Sequence, residues 1–265
     1  MFDWLHVILL TLGGVGAGIL AGLFGVGGGV VIVPVLFYIF YHQGFSVAQA
    51  MPVAVATSLA TMLITSPLSA WSHHHKGSVD WLFIRRIATA ICLGGASGVL
   101  AVQWLVSGQA LKSTFALFLI YIAITLIRQT VPKPHRKRAL SIPVHATAWI
   151  IGTFSAMLGV GGGTMTVPWL STLQYPMHKA VGTAAFIGLL ISLPATIMFA
   201  ITGSHPDHTA YFLGSIHIPA FVLLGMGSIA GTPAGARLAY RIGQRRLKQG
   251  FALLLIIVGV HLFFS

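Results

Sequence analysis

Acid is what this chain lacks. Of its 265 residues only Asp3, Asp80 and Asp207 are acidic, and all three fall at a terminus or between apolar stretches. No carboxylate relay can cross such an interior, which removes the usual proton-carrier or cation site of membrane proteins. Cysteine is as scarce: the lone Cys92 excludes an internal disulfide framework and reads as a small core residue. Charge of either sign is thin, at 7% against about 25% in ordinary soluble domains. What remains is apolar, 56% hydrophobic with a mean hydropathy of +0.91. Apolar stretches of about 18 residues or more recur from end to end, each long enough to cross a ~30 Å hydrocarbon core as a helix. The strict alternation of a barrel is missing, so the predicted class is an all-α polytopic membrane protein whose helices satisfy their own backbone. No basic region or small-residue cleavage site precedes the first apolar segment, which is expected to be retained.

One phrase occurs twice, Gly25-Val-Gly-Gly-Gly-Val-Val-Ile-Val-Pro34 and Gly159-Val-Gly-Gly-Gly-Thr-Met-Thr-Val-Pro168. A glycine run is costly inside a helix, so its recurrence within apolar segments marks a break that is used. The repeat extends further: Leu111-Lys-Ser-Thr-Phe-Ala-Leu matches Leu247-Lys-Gln-Gly-Phe-Ala-Leu, and Gln49-Ala-Met-Pro-Val-Ala weakly mirrors Lys179-Ala-Val-Gly-Thr-Ala. Internal duplication is a signature of secondary transporters, whose sites lie where the halves face each other. The predicted N-terminal repeat covers 1–131, with an interrupted segment over 5–41 and helices over 48–71, 82–106 and 111–128. A basic linker follows over 132–143. The C-terminal repeat covers 144–265, with an interrupted segment over 144–174 and helices over 178–202, 214–240 and 247–264.

Basic residues decide how each interrupted segment runs. If each crossed the membrane once, the 15 Lys and Arg residues would split 8 against 7, giving no orientation. If each is a hairpin with the glycines at its tip, they divide 14 against 1, with Lys112 alone on the far side. The second division is the asymmetry that cytoplasmic loops show. Two inverted repeats follow, each one glycine-tipped hairpin plus three long transmembrane helices, with a cytoplasmic linker and both termini periplasmic. The depth of the first tip stays open, because 5–23 is long enough to cross fully.

A chain turning inside the bilayer must have its backbone satisfied by protein or by a water-filled cavity, so both tips are expected to line a polar chamber. Helices are predicted to begin at Val30 and Thr164, presenting unpaired N–H groups and the positive end of a dipole. Such an end favours an anion, and glycines let an oxyanion approach the main chain. Pro34 and Pro168 each lack an N–H and are expected to kink the second arm. No Lys-Ser/Thr follows the glycines, so a phosphate-cradling P-loop is excluded. Neutral hydroxyls on the flanking helices complete the candidates: Thr57, Ser58, Thr61, Thr65 and Ser66, with Thr183 and Ser192 opposite. Thr57, Thr61 and Thr65 recur every fourth residue, along one face. Most such hydroxyls in membrane helices merely bond a helix. Arg237 lies deeper than Arg241, Arg245 and Arg246; it either snorkels to the interface or contacts substrate. His73-His74-His75 stands beside Lys76 with only Asp80 near, so no metal is expected, nor any cofactor. The +12 net charge reads as topology and attraction to anionic lipid, with enrichment of an anionic substrate as a compatible second role, not as a nucleic-acid surface.

The doubled glycine-proline phrase, the two apolar halves and the basic central loop resemble the sulfite exporter TauE/SafE family of bacterial membrane permeases, over essentially the whole chain. The resemblance implies efflux of small sulfur-containing anions such as sulfite or organosulfonates across the inner membrane, driven by the proton gradient. Carried onto this sequence, its motif positions are Gly25, Gly27, Gly28, Gly29 and Pro34, then Gly159, Gly161, Gly162, Gly163 and Pro168. The substrate-binding candidates are these glycines with Val30, Thr164, Thr57, Ser58, Thr61, Thr183 and Arg237. Alternating access between opposed tips is the expected mechanism, with a passive anion channel of the same architecture as the alternative. No His/carboxylate, Cys/His or Ser/His/Asp set lies in the membrane segments, which argues against an enzyme. Expected partners are a small anionic substrate and membrane lipid; a homo-oligomer stays open.

Overall fold

The computed structural model describes residues 4–24, 27–75, 77–128, 143–203, 211–238 and 244–264. Gly25 and residues 132–142 of the linker lie outside them.

Ten helices account for almost all of the described chain: α1 Trp4–Phe24, α2 Gly29–His42, α3 Val47–His74, α4 Trp81–Trp104, α5 Gly108–Arg128, α6 Val144–Met157, α7 Gly163–Thr172, α8 Met177–Thr202, α9 Ile218–Leu238 and α10 Gln244–Phe264. Six of these, α1, α3, α4, α5, α8 and α9, are long and apolar enough to cross a membrane. The protein is an all-α polytopic membrane protein. α10 has 21 residues, but its apolar part begins at Ala252 because Gln244-Arg-Arg-Leu-Lys-Gln opens it.

Helix ends follow local chemistry. Ser46 and Gln49 form a reciprocal capping box before α3. Ser107 accepts from the Ala110 N–H and starts α5 three residues before the predicted 111. The predicted helix over 214–240 is shortened at its start. Gly214, at φ +58°, turns the chain between β1 Phe212–Leu213 and β2 Ile216–His217, an antiparallel pair that ends where α9 begins.

Burial is inverted relative to a soluble protein. Large apolar side chains such as Leu12, Leu93, Leu117, Ile197 and Ile257 face outward, as lipid requires, while hydroxyls of α3, α7 and α8 are buried. Trp4, Trp71, Trp81 and Trp104 stand exposed at helix ends, the place of interfacial aromatics.

Close contacts give the directions. Thr11, Val15 and Ile19 of α1 meet Gly227, Gly231 and Gly235 of α9 in the same order. Thr57 and Ile64 of α3 meet His217 and Gly225 likewise, so α1, α3 and α9 run parallel. Gly94 and Gly98 of α4 lie against Trp149 to Ala156 of α6, while Asp80, Cys92 and Gly95 meet Thr183, Leu190 and Ile191 of α8. α4, α6 and α8 therefore run parallel to one another and opposite to the first three. The pairings correspond when α1–α5 are exchanged with α6–α10: α1 lies along α9 as α6 lies along α4, and α3 meets α8.

Candidate functional site

Both interrupted segments double back. α1, about 31 Å long at 1.5 Å per residue, passes the level of the turn. The chain then returns so that Gly28 lies beside Ala17, and α2 climbs to bring Phe40 against His217 at the start of α9. α6 stops at Met157, and α7 returns so that Trp169 and Tyr175 pack on Phe83 near the start of α4. The depth left open by the sequence is thus resolved: the first turn stands beside Ser58, Met62 and Thr65, halfway along α3. The second stands beside Ala184 to Gly188, in the middle of α8.

The two turns touch. A Cβ added at Gly27 would lie 3.1 Å from Gly161 Cα, and one at Gly29 would strike the Gly159 carbonyl. Gly27 and Gly28 take φ of +75° and +81°, and Gly159 +64°, values that L side chains avoid. α2 starts at Gly29, one residue before the predicted Val30, with Val31 and Ile32 N–H bonded to the Gly28 carbonyl. The N–H groups of Gly29 and Val30 have no acceptor inside the helix. α7 starts at Gly163, one residue before Thr164, whose N–H and hydroxyl both reach the Gly161 carbonyl. Pro34 and Pro168 are each the sixth helical residue, and each removes the donor that would bond the carbonyl of Val30 or Thr164. Residues 27–30 and 159–164 of the turns are all buried.

The predicted hydroxyls separate by role. Ser58 donates to the Gly159 carbonyl at 2.8 Å and Thr65 to the Gly27 carbonyl at 3.0 Å, so α3 holds both turns. Thr61 bonds the Thr57 carbonyl within α3. Thr57 and Thr183 accept backbone N–H groups of His217 and Asp80, which fastens the starts of α9 and α4. Arg237 is not brought to the turns: it is exposed in the last turn of α9, where a cation suits the helix dipole.

Four buried hydroxyl oxygens absent from the predicted substrate-binding set have no hydrogen-bond partner: those of Ser66, Ser155, Thr166 and Thr196. Thr166 was readable in the repeat itself, since the second phrase carries Thr164 and Thr166 where the first has Val30 and Ile32. Ser66 stood among the candidate hydroxyls of the sequence, whereas Ser155 had no such signal, and which hydroxyls lack a partner is a tertiary property.

Asp80 is the one acid among the described residues, and it sits at a helix end away from the turns. Its carboxylate accepts from Phe83 N–H at 3.0 Å and from the Tyr175 hydroxyl at 2.9 Å. The Phe83 bond above all, opposed by burial and helped by Tyr175, holds it below the usual carboxylate range. Burial, then Asp80 itself, pushes Tyr175 up to about 12.

A bundle of membrane-length helices enclosing two re-entrant glycine turns, with helix N-termini and, among the described residues, no carboxylate between them, has the form of a membrane transporter of small solutes. The sulfite exporter TauE/SafE family matches residues 10–262, and the chain belongs to that family. A "probable membrane transporter protein" of Haemophilus influenzae is 33% identical over 260 residues, 97% of this chain and 98% of its own. Another of that description, from Methanocaldococcus jannaschii, is 27% identical over 264 residues, 98% and 97% of the two chains. A third, from Bacillus subtilis, is 24% identical over 283 residues, again 98% and 97%. No solved structure matches. The protein is a membrane transporter, not an enzyme.

Proposed function

We propose that this transporter exports small sulfur-containing anions, sulfite or organosulfonates, across the bacterial inner membrane by alternating access driven by the proton gradient. The observation that carries the proposal is the meeting of two glycine turns, each opening a helix, at a buried junction with no carboxylate among the described residues. An anion held between opposed helix N-termini needs no cationic side chain and can leave as readily as it enters. Because the turns touch, they must part by the width of the substrate on each cycle, one group of helices moving against the other. Two inverted repeats are the natural moving bodies, in keeping with the corresponding pairings of α1–α5 and α6–α10. With no carboxylate at the junction, the coupled proton travels on a histidine or on the substrate.

Purified protein in proteoliposomes tests this. Saturable sulfite flux, accelerated by sulfite on the far side and by an inward proton gradient, is expected. Flux that neither saturates nor shows counterflow would identify a passive channel.

A further inference from the structure

Hydroxyls in these helices follow a rule with informative exceptions. A Ser or Thr hydroxyl in a helix usually bonds the carbonyl one turn back, as Thr11, Thr61, Ser72, Thr153, Ser171 and Thr232 do. Four buried hydroxyl oxygens bond nothing: those of Ser66, Ser155 and Thr166, residues 1%, 0% and 0% exposed, and that of Thr196, further along α8. The first three belong to elements that converge on the second glycine turn. Ser155 is in the last turn of α6, leading into it. Thr166 is in the first turn of α7, and its Cβ tilts toward the helix N-terminus, over Gly162 and Gly163. Ser66 faces the same turn from α3: a methyl placed on Gly188 would stand 2.9 Å from Ser66 Oγ and 3.5 Å from the Gly162 nitrogen. A side chain at Gly188 would therefore crowd that hydroxyl and lie against that amide.

The first turn is built differently. Val30 and Ile32 replace the two threonines of the second phrase. Its neighbouring hydroxyls, Ser58 and Thr65, are already bonded to main-chain carbonyls. Met62 supplies the other side chain, with Sδ 3.5 Å from a methyl placed on Gly27.

We infer that the substrate site carries side-chain donors on one side only: the α7 N-terminus with Ser66 and Thr166 takes most of the oxygens of the anion, and the first turn offers main-chain N–H groups alone, beside Met62 and Val30. This rests on the transport function proposed above. Such a site fits a sulfur atom with three oxygens on one face and either a lone pair or a short alkyl group on the other, as in sulfite or an alkanesulfonate. Sulfate would turn a fourth, solvent-stripped oxygen toward the side that has a thioether and a valine but no free hydroxyl, where fewer donors meet it, and a buried oxygen with too few donors is disfavoured.

Equilibrium binding of sulfite, methanesulfonate and sulfate to the purified full-length protein separates the possibilities, with thermal unfolding confirming that each variant is folded. Wild type is expected to bind the first two at least about tenfold more tightly than sulfate. Ser66→Ala and Thr166→Val are each expected to weaken sulfite binding about tenfold, Ser66→Thr and Thr166→Ser to retain it, and Gly188→Ala to weaken it by crowding the Ser66 hydroxyl. Val30→Thr, which adds a donor to the first side, is expected to narrow the preference over sulfate. Wild-type affinity in both Ser66→Ala and Thr166→Val, with binding abolished in Gly162→Val, would overturn the one-sided site while keeping the turns as the anion site. Equal affinity for sulfate would do the same. A wild type that binds none of the three would overturn the proposed function itself.

Discussion

At the residue scale, glycines serve two separate needs in this protein. At Gly28 and Gly159 the backbone is left-handed, and an added Cβ would also stand 2.8 Å from the Ala17 carbonyl oxygen or 2.9 Å from Val55 Cα. Gly159→Ala is therefore expected to cost more than about 1 kcal/mol in thermal unfolding, from conformation alone before the clash is counted. Gly16→Ala meets nothing within 4 Å and lies in α1, so it should leave stability within about 1 kcal/mol of wild type. Equal effects at the two positions would mean that the turn conformation is unimportant. Glycine spelling alone could not rank these sites. The turn glycines were legible because they recur with the same proline spacing, whereas Gly94, Gly152 and Gly188 matter only through neighbours distant in sequence. Ser58 shows the same limit: its position on α3 was evident, but not that it would hold the opposite turn's carbonyl.

At the element scale, α1 and α9 approach closely because glycines line both. A Cβ at Gly18 would lie 2.7 Å from the Ser228 carbonyl oxygen, and ones at Gly227, Gly231 and Gly235 would strike α1 main chain. Small residues at such a seam let backbones pack where lipid offers no hydrophobic drive. Gly231→Leu should destabilise the protein by roughly 1–3 kcal/mol or more through overpacking, measured by unfolding in detergent. The start of α4 shows another economy: Asp80 caps its own helix and bonds Tyr175 and Thr183 of the second half. Because its carboxyl lies below the ordinary range when folded, its stabilisation is present above about pH 4 and fades as pH falls through the lowered value. Asp80→Ala is expected to cost about 1 kcal/mol at neutral pH and to flatten the acid side of a melting-temperature profile. An unchanged profile would remove the cap from the stability of this end. Helix boundaries were legible to within a few residues because apolar runs and turn residues set them. The exception, residues 214–217, reads as apolar continuation in sequence but is drawn into a strand pair by the Gly214 turn and the His217–Thr57 bond.

At the scale of the whole molecule, charge and fold point the same way. Lys112, the basic residue that the topology expected from sequence would leave alone on the outer side, is 2% exposed, with its ammonium 5.9 Å from the centroid of Phe37. That cation is sequestered against a ring face, where a cation–π attraction offsets part of its desolvation. Cysteines introduced at Gln43 and Pro206 should label from the periplasm, and those at Lys76, Arg136 and Gln244 from the cytoplasm. Labelling at Gln43 from the cytoplasm would reverse the assignment of sides. The fold class and the doubling-back of both segments were legible in composition, duplication and charge asymmetry. The meeting of the turns was expected from the repeat. Its partition into a hydroxyl-bearing side and an apolar side was half visible in the two phrases and was completed only by tertiary contacts. The measurement closest to the centre of this mechanism is anomalous diffraction from crystals soaked in selenite, the heavier counterpart of sulfite. A selenium peak within hydrogen-bonding reach of the Gly162 and Gly163 amides, between the two turns, is expected. A peak only among the arginines at the ends of α9 and α10, with the junction of the turns empty, would contradict it.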